Sequence, residues 1–143
     1  MSAHADIIVS SNDSTEVKLV VEAKLRMANL LDTERQLRRF MLQVSCPLGL
    51  LVTPDHLWVY LDRFTSYSEE SIERIGDFDI KELIGFAAGA SEAAFENAVQ
   101  DWLENLSVTN TRERIKDEKL LDVVRHYILP AVETGVVRAA GPR

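Results

Sequence analysis

The stretch Lys18-Leu19-Val20-Val21-Glu22-Ala23-Lys24 constrains this chain more than any other. Side chains along a strand alternate between faces, and here the alternation is clean. Val17, Leu19, Val21, Ala23 and Leu25 form an unbroken apolar set, while Lys18, Val20, Glu22 and Lys24 form a mixed one. That pattern predicts a strand over 17–25 with one fully buried face. Glu22 and Lys24 then point to the same side, with Val20 beneath them.

A second apolar run, Asp6-Ile7-Ile8-Val9, precedes it across the polar turn Ser10 to Thr15. If the two runs pair as a hairpin, Asp6 comes level with the open end of the second strand, near Glu22 and Lys24. Two carboxylates and a lysine then share one pocket. Adjacent carboxylates repel unless a cation sits between them, and a hard divalent ion such as Mg²⁺ takes oxygen ligands while keeping several waters. A neighbouring ammonium can orient or help deprotonate such a water, and the metal stabilises charge growing on a phosphate oxygen. This is equipment for hydrolysing a phosphodiester.

The rest of the chain limits the possibilities. At 143 residues it is read as a single domain over 1–143, able to bury roughly two-thirds of its unfolded surface. No run approaches a membrane span and Met1-Ser2-Ala3-His4-Ala5-Asp6 carries no signal-peptide pattern, so a cytoplasmic protein without membrane contact is expected. One cysteine, Cys46, excludes an internal disulfide and a multi-thiolate zinc site, and is read as a structural thiol. His4, His56 and His126 stand at no metal-pair spacing. The net charge of −7 argues against an extended nucleic-acid footprint, so any such substrate needs a local basic patch.

That patch has one candidate. A helix is expected from Thr33 to Ser45, capped by Thr33 or Asp32, with Leu37, Met41 and Val44 on its buried face and Pro47 ending it. It carries Arg35, Arg38 and Arg39, the densest basic cluster in the chain. These form either a solvated helix face or a phosphate-contacting face beside the carboxylate pocket.

Further on, 48–53 and 57–62 read as a hairpin around Pro54-Asp55-His56, with Trp58 and Tyr60 packing on one face. Residues 63–91 read as a weakly patterned polar segment, with a short helix at 80–84 and a small-residue loop at 85–90. Helices are expected over 91–106 and 114–129, the latter stopped by Pro130, and 132–138 as a last strand bent at Gly135.

Taken together, Asp6-Ile7-Ile8-Val9, a polar turn, Val17 through Glu22-Ala23-Lys24, and a helix beginning near Gln36 resemble the PD-(D/E)xK nuclease superfamily. Within it, the run is most similar to the N-terminal nuclease domain of type I restriction enzyme R subunits. Gln36-Leu37-Arg38-Arg39-Phe40 also resembles the QxxxY element of some members, with Phe for Tyr. The resemblance implies a restriction endonuclease-like α/β (α+β) core, a central mixed sheet of 4–5 strands flanked by helices. It implies Asp6, Glu22 and the Ala23 carbonyl as ligands of Mg²⁺, for which Mn²⁺ substitutes. It implies Lys24 positioning the attacking water and Gln36 orienting Lys24 or the substrate phosphate. Ala5 stands where the family has proline. The family pattern also opens with a helix, for which the five residues before Asp6 leave no room. Either that helix is dispensable, or a C-terminal helix or a partner chain takes its place, in which case Glu92 or Glu96 could supply the missing carboxylate.

The leading expectation is a Mg²⁺-dependent nuclease acting on DNA, as a homodimer or with a partner subunit. The alternative is a catalytically inert interaction or regulatory module on the same fold. In that reading Asp6→Ala raises stability by relieving carboxylate repulsion, with no metal effect. If the motif is instead a chance one, Glu22 and Lys24 form an exposed cross-strand charge pair and Asp6 begins a strand by accident.

Overall fold

Strands β1 (Ile7–Ser11) and β2 (Val17–Ala23) pair antiparallel, Ile7 opposite Val21 and Val9 opposite Leu19, in a computed structural model that describes residues 5–86 and 89–140. His4 lies outside the described residues, as do Ala87 and Ala88 of the small-residue loop. Asp13 organises the hairpin turn: its Oδ1 accepts the Ser11 hydroxyl at 2.7 Å and the Thr15 hydroxyl at 2.8 Å.

Helix α1 (Leu30–Gln43) crosses from β2 to β3 (Leu48–Thr53), which lies parallel to β2 with Val20 beside Gly49 and Ala23 beside Val52. Parallel neighbours need such a crossover. All six residues of β3 are buried, as expected of a strand covered on both faces. Gly49 allows α1 to come close, since a Cβ there would stand 2.6 Å from the sulfur of Met41. The helix starts at Leu30, earlier than expected. Its cap is Asn29, whose Oδ1 accepts the Asp32 N–H at 3.2 Å, while the Thr33 hydroxyl donates to the Asn29 carbonyl.

Strands β4 (His56–Asp62) and β5 (Ile72–Asp79) continue the sheet antiparallel, and β6 (Gly135–Ala139) closes the other side against β1. The order is β5-β4-β3-β2-β1-β6. The protein is therefore α+β, with one mixed six-stranded sheet flanked by helices. On one face Val20, Leu51 and Tyr60 meet Leu37 and Met41 of α1. On the other Leu19, Val21, Leu50 and Val59 meet Phe95, Val99 and Leu103 of helix α2 (Glu92–Glu104) and Leu120, Val124 and Ile128 of the C-terminal helical segment. Each fully buried leucine or valine here contributes about 1.5–3 kcal/mol.

Further expectations are corrected. The sheet has six strands rather than 4–5, because β5 lies in the polar segment that hid it. β5 is an edge strand with only Ile72 and Phe78 buried, so its exposed positions carry Glu73, Arg74, Asp77 and Asp79 and erase the alternation. Residues 80–84 form a turn with Glu82 at φ +69°, not a helix. β2 ends at Ala23 instead of Leu25, because the Leu25 N–H turns to Glu92.

The last correction concerns Pro130. After α3 (Thr109–Glu113), helix α4 (Glu118–Val123) passes through a π-turn at Val124–Ile128 into α5 (Leu129–Glu133), so the helical path runs through Pro130. The Leu129 N–H reaches back five residues to the Val124 carbonyl, and in that widened turn a residue without an N–H is tolerated. Gly135 then opens β6 rather than bending it.

Candidate active site

The C-terminal end of β2 is held by three different parts of the fold. The Val21 carbonyl accepts the Asp6 N–H at 2.8 Å, and the Ala23 N–H donates to Asp6 Oδ2 at 2.8 Å. The Lys24 N–H donates to the Val52 carbonyl at 2.9 Å, and the Leu25 N–H to Glu92 Oε2 at 2.9 Å. The Asp6 carbonyl is itself taken by the Ala140 N–H at 2.8 Å. Asp6 thus bonds β2 with its N–H and side chain, and the stretch after β6 with its carbonyl. Continuing the β1–β2 register by one residue from Ile7 and Val21 sets Asp6 opposite Glu22.

Glu22 and Lys24 project as alternation requires, with Lys24 Nζ 3.4 Å from Glu22 Oε1. Asp6 and Glu22 are 4% and 3% exposed, while the Lys24 side chain keeps 30% of its surface. The site is thus two buried carboxylates at a sheet end with one ammonium open to solvent. Burial pushes the Glu22 carboxyl up; Lys24 pulls it down, and Glu96 and Glu92 push it up again. Burial also raises Glu96, with Glu92 adding to the rise and Lys24 opposing it. The first turns of α2, capped by the Ser91 hydroxyl on the Ala94 N–H, thus bring two further carboxylates into the field of Glu22 and Lys24.

Of the other expected residues, Gln36 is half-buried on α1 and its side chain makes no hydrogen bond among the described residues. The three arginines part company. Arg35 is exposed, its side chain without an ion pair or hydrogen bond among the described residues. Arg38 donates from Nε to the Ile72 carbonyl at 3.2 Å, with its guanidinium 5.3 Å from the centre of the Tyr60 ring. Arg39 pairs with Glu69 at 3.7 Å. Two of the three side chains are therefore engaged with the short 3₁₀ turn Glu69–Ser71 and the start of β5.

Sequence reading missed a polar network beneath α1. Glu34 is 2% exposed; its Oε2 accepts the Tyr60 hydroxyl in a short hydrogen bond and two Arg74 nitrogens at 2.8 and 2.7 Å. Burial and the adjacent Glu34 raise the Tyr60 phenol, so it stays a donor. The signal was present: the spacing 34, 37, 41 puts Glu34 on the apolar stripe, and a carboxylate there requires partners. The partners themselves come from β4 and β5.

Among the described residues no group of three or more His, Cys, Asp or Glu is placed to hold a metal ion by itself. A hard cation here would rest on Asp6, Glu22, the Ala23 carbonyl and water. That donor set is all oxygen and suits Mg²⁺, which binds through one or two carboxylates and retains waters. The excess of carboxylates over ammonium around Glu22 favours a cation electrostatically. Among the described residues no helix is long and apolar enough to cross a membrane. No family model matches the chain, and neither a curated protein nor a solved structure matches it.

Proposed function

We propose that this protein is a metal-dependent phosphodiester hydrolase acting on nucleic acid. More particularly, we read it as a DNA nuclease with a restriction endonuclease-like core, resembling the nuclease domain of type I restriction enzyme R subunits. The observation that carries the reading is the Asp6–Ala23 hydrogen bond, which ties an aspartate from the head of β1 to the backbone between Glu22 and Lys24 at the end of β2. The parallel β2–α1–β3 unit that follows supports it, as does the carboxylate excess.

In this reading Asp6, Glu22 and the Ala23 carbonyl hold Mg²⁺ or Mn²⁺. When bound, the ion supplies a Lewis acid for the scissile phosphate and lowers the pKa of its water. The chain's own residues do the rest. Lys24, held by Glu22 yet open to solvent, orients the attacking water. Gln36 lies on the helix that follows and meets Lys24 or the phosphate once substrate is seated. Arg35, with Arg38 and Arg39 released from their present partners, contacts backbone phosphate. The protein works as a homodimer or beside a partner subunit, which enlarges the basic surface that a net charge of −7 leaves small.

Calorimetric titration of Mn²⁺ and Mg²⁺ into the wild type and Glu22→Ala tests the reading without a substrate. Binding that disappears in the variant supports it; equal heats in the two proteins at millimolar metal count against it. A second reading, an inert interaction module on the same fold, is favoured by one observation: Arg38 and Arg39 are already used inside the protein. It expects no metal effect and no cleavage by a folded protein.

A further inference from the structure

At the opposite end of β2 from Glu22 and Lys24 lies a groove of about 730 Å³. Its walls come from the start of β2, the turn between α1 and β3, the end of β4 and the C-terminal helical segment. Leu48, Leu61, Phe64, Tyr127 and Ala131 make it mainly apolar. Phe64 is 69% exposed, a large side chain left in water at the groove's rim. Ser45 and Phe64, both lining it, hold left-handed backbone at φ +54° and +57°, a conformation that costs free energy in residues other than glycine. The facing wall includes the π-turn, a helix irregularity often found at functional sites. Volume and lining are those of a small-molecule site.

Two charged side chains enter this apolar surface, Lys18 half-buried and Glu16 at the edge. Neither side chain makes an ion pair or hydrogen bond among the described residues, with each other or with anything else. An apolar groove offering one ammonium and one carboxylate, separately, complements a molecule that carries both charges beside an apolar body. We propose that the groove binds a free amino acid with a bulky apolar side chain. Lys18 takes its carboxylate, Glu16 its ammonium, and Leu48, Leu61, Phe64 and Tyr127 enclose the side chain. Compared with either charge alone, the pair is selective: a ligand lacking one group forgoes its contact with Lys18 or Glu16. The proposal is independent of the nuclease reading, because none of its residues belongs to the Asp6–Glu22–Lys24 site.

Calorimetry on the full chain tests it with L-tryptophan and L-phenylalanine against indole-3-propionate, which lacks the amine, and tryptamine, which lacks the carboxylate. The expected result is saturable binding of the amino acids and about tenfold weaker binding of each analogue. Lys18→Met should erase the preference for tryptophan over tryptamine, and Glu16→Gln the preference over indole-3-propionate, with thermal unfolding of both variants unchanged. No saturable binding at millimolar ligand overturns the proposal. So does an analogue that binds as well as tryptophan, or binding unaltered in both variants.

Discussion

Asp6 Oδ2 accepts the backbone N–H of Ala23 at 2.8 Å, across 17 residues of sequence and in a buried environment. The bond replaces the ladder partner that β1 would offer, since the Asp6 carbonyl is occupied by Ala140. Removing it strands a buried N–H, which costs about 1–3 kcal/mol. Asp6→Ala should therefore lower stability, contrary to the gain that an inert module with repelling carboxylates suggests. Asp6→Asn, whose side-chain oxygen still accepts, should lose less. Urea unfolding of the two variants measures the difference.

Lys24→Ala should abolish cleavage and leave the fold intact. The side chain is partly in water and its removal opens no cavity, while its backbone N–H still bonds Val52. Circular dichroism and a plasmid-cleavage assay with Mn²⁺ check the two halves. A folded variant that cuts like the wild type refutes the assigned role.

Glu22→Gln should stabilise the metal-free protein at neutral pH. In the folded protein the Glu22 carboxyl is raised above its ordinary 4.5, first by burial. A raised carboxylate contributes stability below its unfolded pKa and loses it as pH rises through the folded value. The gain from the amide should accordingly be largest at pH 7 and fade as pH falls towards 4.5. Thermal melts of both proteins across that window test the sign, and saturating Mg²⁺ should reverse the order at neutral pH by binding only the wild type.

Tyr60→Phe should destabilise by about 1–3 kcal/mol, because Glu34 loses a buried donor and keeps only Arg74. If the network anchors α1, the same variant should speed hydrogen exchange in α1 more than in α2. Equal changes in both helices would show a global effect instead.

Burial pushes the Cys46 thiol up to about 12, against 9.0 for an open one. Its contribution to stability is present below pH 9 and lost as pH climbs towards 12, since the unfolded chain ionises first. In the native protein Cys46 should resist iodoacetamide at pH 8 and react only as fast as the chain opens. Labelling rates followed across a denaturant series read this directly.

Much of the site is local, and local features are legible in a sequence. The pleat alone puts Glu22 and Lys24 on one side of β2, and the short polar turn returns β1 so that Asp6 meets that end of the strand. Neither needs a long-range contact. The edge strand β5 was hidden because an edge position buries so little that charged residues replace the alternating pattern. Pro130 misled for a related reason: the rule that it stops helices assumes ordinary helical bonding, and the π-turn before it changes which carbonyl is in reach.

What the amino-acid sequence determined by itself is therefore the β1–β2 hairpin, the amphipathic helix after it, and the side on which Glu22 and Lys24 stand. Tertiary structure alone decided which charges surround them. Packing of α2 on the sheet brings Glu92 and Glu96 to Glu22 from about 70 residues away. Packing of α1 against β4 and β5 consumes Arg38 on Ile72 and Tyr60, and encloses Glu34 with Arg74. The physical reason is range. Alternation and turn chemistry act between neighbours in the chain, whereas burial and Coulomb interaction depend only on distance in space, which the apolar contacts of the folded core set.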